Sequence, residues 1–498
     1  MRGFGLALQR LPSPMHSAAE PTVPRFWPFM FTLFVGSFMS VLSSSTITIA
    51  IPELQRHFGA ELSSVQWTLT GFMLAMGTSA PLTGYLGGRF SFKWVYVASL
   101  VGFLVASVLC GVSWDTRALV AFRFVQGAFC GAIMPVTMTL IYQLLPRERQ
   151  ALAASLWTLS SMLAPAFGPT LAGWLMTLGN WRWLFFMNVP LGLAAVAMAV
   201  RTVPYYRLEV PKAFDFPGLL TVITGTLALL IALSQGRAWG WTDAKTVSLA
   251  VLGTVSLVSF VVRQLKTHAP LLDLRVLANG RYVVTLLISS IITISLYSGA
   301  FLIPLFLQEI QGVTPLKTGL ILLPASLAMA LLMPLVGRMY GTLGPSTLMT
   351  AGVLLIAGGT YALSRLTPDV SHTYVLMWML VRNVGISLSI MPASNAGMEQ
   401  LSRELSGHAS SISNWLRNVF GAFSIAIFTS LLSTFAAREA QVLAREGVTE
   451  RRDIELLSFV MGINQVYLVA TVIALVAVPL SLMVRKHVSG LEASRGAR

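Results

Sequence analysis

The chain has 498 residues, 55% of them hydrophobic and only 11% charged, with a mean hydropathy of +0.73. Soluble domains carry about 25% charged residues, so a soluble enzyme or solvated scaffold is excluded and an all-α, multi-pass membrane protein is expected. The net charge of +15 would suggest nucleic acid for a soluble chain; here it is read as Lys and Arg holding loops on the cytoplasmic side, with no nucleic-acid partner.

Residues 1–25 carry Arg2, Arg10 and Arg25 among Pro12, Pro14, Pro21 and Pro24. They lack the apolar core and cleavage site of a signal peptide and read as a cytoplasmic tail; Met15 is an alternative start. Hydropathy then marks about fourteen spans. The first six lie near 27–50, 65–86, 94–113, 118–144, 151–177 and 183–203. Two follow near 216–235 and 245–263, and the last six near 283–308, 318–338, 346–364, 373–395, 409–434 and 462–484. An even count places both termini on one side of the membrane. About 20 Lys and Arg residues fall in loops on that side and about 11 opposite, so cytoplasmic termini and a plasma (inner) membrane location are expected.

An echo between Pro81-Leu82-Thr83-Gly84 and Pro334-Leu335-Val336-Gly337 falls at the same place in two six-span blocks, as a duplicated transporter requires. The expected organisation is a tail over 1–25, a six-helix bundle over 26–203, two additional spans over 204–281, a second bundle over 282–484 and a tail over 485–498.

The fifth span contains S-M-L-A-P-A-F-G-P-T-L-A-G-W-L. Ala164, Gly168 and Ala172 recur every four residues and share a helix face, which lets a second helix approach closely. Pro165 and Pro169 each remove a backbone donor and provide for bending. In the fourth span Arg123, Gly127 and Gly131 share a face, with Gln126 beside them. A charge deep in a bilayer costs about 2.5–3.5 kcal/mol on insertion scales, so Arg123, Arg382 and Arg417, the three arginines inside spans, are candidate pathway groups. No Asp or Glu falls well inside a span; Glu53, Asp215, Glu309 and Glu399 lie at span ends. With no carboxylate pair and no histidine cluster, an intramembrane enzyme is not expected, nor is a metal or cofactor. No selectivity ring points to a channel. Cys110 and Cys130 read as small core residues.

These stretches resemble motifs of the major facilitator superfamily. Ala164, Gly168, Pro169, Ala172 and Gly173 match its exporter-specific fifth-span motif, G-x-x-x-G-P-x-x-G-G. Gly84, Leu86, Arg89 and Lys93 match the loop after the second span, with Gly88 in place of its Asp and Ser91 in place of its second Gly. Arg123 and Gly127 match R-x-x-x-G. The blocks Asn180–Gly192, Leu271–Arg275, Leu307–Gly312 and Gly407–Asn418, the last containing Asn414 and Arg417, are similar to those of the fourteen-span drug:H+ antiporter-2 (EmrB/QacA-like) subfamily. The resemblance implies secondary-active efflux of amphiphilic drugs or toxic small molecules by alternating access, with proton coupling. A dedicated exporter of one metabolite, such as a siderophore or antibiotic, with atypical coupling is the alternative.

The departures matter. The subfamily's first-span Asp and Asn are Ser43 and Thr48 here. A proton route would then fall to Glu53 or Glu309, or to the substrate's own ionisation, and a neutral or anionic amphiphile is expected as substrate. The alternating charges of 435–461 suggest a solvated, partly helical outer segment that could meet a periplasmic adaptor.

Overall fold

The computed structural model describes residues 25–207, 214–267, 270–399, 401, 403–446 and 450–484; the two expected tails lie outside these, apart from Arg25. Among the described residues the regular structure is helical throughout. Thirteen helices are long and apolar enough to cross a membrane. They are α1 (Phe26–Phe58), α3 (Phe92–Gly111), α4 (Thr116–Leu144), α5 (Arg147–Thr177), α6 (Asn188–Thr202, entered through a short turn at Trp183–Phe186), α7 (Phe216–Trp239) and α8 (Ala244–Lys266). The rest are α9 (Gly280–Leu305), α10 (Pro315–Leu343), α11 (Pro345–Leu363), α12 (His372–Met398), α13 (Arg403–Arg445) and α14 (Arg451–Met483). The fourteenth crossing, α2, is in two pieces, Trp67–Ser79 and Leu82–Phe90. The sequence reads as one run there; Pro81 has no N–H to continue the ladder.

Fourteen alternating crossings put Phe26 and Met483 at one face, here the terminal face; the other is the far face. At the far face α13 and α14 take up most of the segment expected as a loop, leaving only the stretch around 447–449, which lies outside the described residues. The first six helices pack on one another, as do the last six. The two blocks meet chiefly through α5 against α10 and α2 against α13, the fifth helix of one block on the second of the other, twice. Helices α7 and α8 pair and rest on α13.

Small residues decide how close these helices come. A Cβ at Gly127 or Gly131 of α4 would collide with the backbone oxygen of Phe72 or Met76 of α2. Helix α5 runs uninterrupted through Pro165 and Pro169 and has two packed faces. On one, Ser45 Oγ of α1 donates to Ala164 O, and Gly168 admits that same hydroxyl. On the other, Gly173 lies against Pro315–Leu316 of α10, and Thr170 Oγ1 donates to Gly319 O at 3.0 Å. Gln308 Nε2, in a π-helical turn that follows α9, donates to Ile49 O of α1 at 3.0 Å. These two hydrogen bonds join the blocks on the far-face side, and among the described residues no other hydrogen bond joins them.

Candidate substrate cavity and the buried arginines

In the first block α4 carries Arg123, wholly buried. Its Nε donates to Thr68 O at 2.8 Å, its Nη1 to Ser43 Oγ at 3.0 Å and Gln126 Oε1 at 2.7 Å, and its Nη2 to Ser43 O at 3.3 Å. The Phe72 ring lies 4.0 Å from the guanidinium carbon. Gln126 in turn donates to Ser107 Oγ at 2.6 Å, which also receives Asn188 Nδ2 at 3.4 Å. Carbonyls, hydroxyls and a ring face stand in for a counter-carboxylate. Ser43 is therefore spent on Arg123 and buried, and Thr48 Oγ1 turns back to Ser45 O. Cys130 sits against Ser40 and Cys110 near Gln126, both buried with free thiols.

The second block repeats the pair. Arg382 lies on α12, the fourth helix of its block, and its Nη2 donates to Ser298 Oγ of α9, the first helix, at 3.1 Å. Ser43 and Arg123 are 80 residues apart, Ser298 and Arg382 84. Gly299 is what admits the guanidinium, since a Cβ there would meet Nη1. The surroundings are poorer: Arg382 Nε, Ser295 Oγ and Tyr467 Oη are buried without a hydrogen-bond partner. The sequence marked Arg382 but missed Ser298 and Tyr467; the repeated Ser-to-Arg spacing is the signal that would have found Ser298.

Arg417 of α13 differs from both. Its side chain is exposed and makes no hydrogen bond or ion pair among the described residues. It lines a niche between α9, α12 and α13 with Tyr282, Thr285, Ser289, Ser290 and Ser394. Tyr282 belongs to the first turn of α9, and Gly397, at the end of α12, also lines the niche, so it lies on the terminal-face side. Among the described residues Arg417 is the one charged residue of that lining, and none of them is a carboxylate. Just beyond, Asn418 packs on Gly77 and Gly421 on Met73, closing the α2–α13 seam. Asn414 serves the same turn, its carbonyl accepting from Asn418 Nδ2 at 2.9 Å. A guanidinium with free donors in such a niche suits a small anionic group.

The remaining expected residues lie at the two faces. Lys93 Nζ donates to Val200 O at 2.7 Å, in the last turn of α6, where a cation offsets the helix dipole. Arg89 is exposed beside Phe90, and Gly84 and Leu86 lie on the second piece of α2. Gly88, at the motif's Asp position, offers its carbonyl to Arg207 Nε at 2.7 Å. Ser91, at the motif's second Gly, has φ +99°, a conformation that favours glycine. Also at the terminal face, Asp215 caps α7. Burial would raise its pKa, but hydrogen bonds from Arg263, Gly218 N and Gln264 hold it below the usual carboxylate range. At the far face Glu53 lies 3.7 Å from Arg56, and Glu309 is exposed in the π-helical turn next to Gln308.

The profile of the Major Facilitator Superfamily matches residues 33–425. The chain belongs to that superfamily. This transporter is 30% identical to the multidrug export protein EmrB of Haemophilus influenzae, over 80% of this chain and 78% of the relative. An uncharacterized MFS-type transporter, YhcA of Bacillus subtilis, is 32% identical over 84% of this chain and 78% of that one. The fatty acid resistance protein FarB of Neisseria gonorrhoeae is 26% identical over 90% and 94%. Among solved structures, a bacterial homologue of the lysosomal transporter Spinster, inward-facing and unoccupied, superposes with a TM-score of 0.65 at 13% identity, covering 92% of this chain and 96% of that one. The transporter is thus of the drug:H+ antiporter-2 type, and its function is small-molecule efflux.

Proposed function

We propose that the transporter exports neutral or anionic amphiphiles from the cytoplasm, with Arg417 as the group that recognises substrate charge. The carrying observation is an exposed arginine that has no hydrogen-bond or ion-pair partner among the described residues, in a hydroxyl-lined niche whose described lining holds no carboxylate. A permanent cation would meet Arg417 with nothing to offset its desolvation. The excess of Lys and Arg in the terminal-face loops supports a cytoplasmic terminal face in the inner membrane. The niche then opens inward, and the hydrogen bonds Thr170–Gly319 and Gln308–Ile49 form the closed outer gate. Export requires that gate to part as the two six-helix blocks rock. A proton antiport in this frame would rest on Glu53 or Glu309, which flank the gate. The long α13–α14 hairpin at the far face is the surface an adaptor would meet. EmrB and FarB, named for multidrug export and fatty acid resistance, favour amphiphiles over one hydrophilic metabolite.

The test is export from cells carrying Arg417→Ala or Arg417→Lys. Loss of a charge-assisted hydrogen bond of about 1.5–3 kcal/mol should cut anionic-substrate export roughly tenfold or more in the alanine variant. Lysine, which keeps the charge but not the fork, should retain part of it. Strong wild-type export of quaternary ammonium compounds, untouched by either change, would sink the proposal.

A further inference from the structure

The two inserted helices, α7 and α8, are tied to both six-helix blocks, at opposite ends. At the terminal-face end the tie is to the second block. Asp215, which caps α7, accepts from Gln264 Nε2 of α8 at 2.6 Å, and Gln264 Oε1 accepts from Leu272 N at 3.0 Å. The next residue, Asp273, donates its N–H to His408 Nδ1 of α13 at 3.3 Å. An apolar cluster backs this chain: Val222 of α7, Phe260 of α8 and Leu272 are buried together with Ala409 and Ile412 of α13.

At the far-face end the tie is to the first block. Ser234 Oγ of α7 accepts from Gln66 Nε2 at 2.9 Å and from Trp67 Nε1 at 3.1 Å, both at the start of α2. Gln66 and Ser234 are buried, and Gln66 Oε1 has no hydrogen-bond partner among the described residues. Beside these bonds a cavity of about 860 Å³ is lined by Trp67 and Gly71 of α2, Phe124 of α4 and Gln235 of α7. The cavity stands where apolar side chains would otherwise pack, so the two bonds carry much of the attachment there.

We propose that Ser234 is a gating residue of the export cycle: its two bonds fasten the inserted pair across the α2–α13 seam and hold the far face shut. The inference rests on the closed far-face gate read above, and not on the charge of the substrate. The pair rides with the second block, because its attachment there joins apolar burial to a chain of hydrogen bonds. When the blocks rock, the far-face ends of α2 and α13 separate, and α7 is carried away from Gln66 and Trp67. The bonds are made in the state seen here and broken in the opposite one. An interaction present in one state only shifts the equilibrium toward that state. The parting is reversible, since the opened seam admits water to the Gln66 amide, including the oxygen that is unpaired while the seam is shut.

The experiment uses the full-length protein in lipid nanodiscs, with paired spin labels and distances from pulsed electron resonance; no substrate is needed. Three exposed residues serve as label sites after replacement by cysteine: Glu61 just before α2, Arg237 on α7 and Thr434 on α13. The Glu61–Thr434 pair reports opening of the far face, Glu61–Arg237 the Ser234 contact, and Arg237–Thr434 the inserted pair against the second block. The first two pairs should show a short and a long population that vary together, and the third a single distance. Ser234→Ala should raise the ratio of long to short roughly tenfold, the effect of losing two hydrogen bonds. Ser234→Thr, which keeps the hydroxyl, should stay close to the wild type. A long Glu61–Thr434 population that Ser234→Ala leaves unchanged would overturn the inference and leave the gate reading standing. So would a fixed Glu61–Arg237 distance while Arg237–Thr434 varies, since the pair would then ride with the first block. Broadening of all three pairs in the alanine variant would make Ser234 a packing residue and equally overturn it. A Glu61–Thr434 pair with one distance in both wild type and Ser234→Ala would overturn the closed-gate reading itself.

Discussion

Arg123 and Arg382 are the same device built to different standards. Each projects from the fourth helix of its block to a serine on the first. In the first block four hydrogen bonds and an aromatic face satisfy the guanidinium. In the second, one hydrogen bond is made, while Nε and the nearby Tyr467 hydroxyl go without. The difference lies in how fully each buried charge is satisfied by its neighbours. Arg123 clamps α1, α2 and α4 together, because its acceptors are mostly backbone carbonyls and a glutamine held by a further serine. Arg382 contributes little of that kind, since a buried donor left unpaired costs about 1–3 kcal/mol. Only Arg417, with the fewest partners of the three, is exposed to a cavity.

The largest effect expected from this comparison is the loss of Arg123. Arg123→Leu takes the guanidinium away from Gln126 Oε1 and the Ser43 hydroxyl and strips Thr68 O of its side-chain bond, and each buried polar group left unpaired costs about 1–3 kcal/mol. The detergent-solubilised variant should unfold well below the wild type in a thermal assay. Arg382→Leu should stay within about 1 kcal/mol, because exchanging a poorly paired buried ion for an apolar group is often neutral. Equal destabilisation by both would erase the distinction.

A middle-sized effect is expected at Gly299. Gly299→Ala places a methyl against the Arg382 head group and should destabilise by about 1–3 kcal/mol, as overpacking does. Adding Arg382→Leu should recover part of that loss, and a double variant no more stable than Gly299→Ala alone would mean the clash lies elsewhere. The smallest effect is expected from Ser43→Asp. The new carboxylate would meet Arg123 and be neutralised, at a desolvation cost that offsets most of the gain, away from the Arg417 niche. Export of cations should therefore change less than twofold; a larger rise would place Ser43 on the pathway after all.

Much of this was legible in the chain. Apolar runs gave the spans, because a span must be apolar for about 20 residues. Four-residue spacing gave the close faces at Gly127, Gly131 and Gly168, and the end of α6 is where Lys93 finds its carbonyl. Three things were hidden. The kinship of Arg123 and Arg382 is masked because the next glycine falls four residues on in one and three in the other. The facing of Ser43 depends on the rotation of α1, which periodicity leaves open in a helix apolar on every side. The two roles of α5 are the third: its small stripe seats α1 of the same block, while Pro169, Thr170 and Gly173, a shifted face, meet α10 across the gate.

The two native thiols carry a practical consequence. Cys110 and Cys130 are both sealed inside the first block, near the Arg123 cluster, at 0% exposure. A water-soluble maleimide therefore finds no native target on the described surface of the folded protein. The natural chain is already a silent background for site-directed labelling. Single cysteines introduced at Ser394, beside the niche, and at Glu309, beside the gate, would report by their labelling rates which face is open at each stage of the cycle.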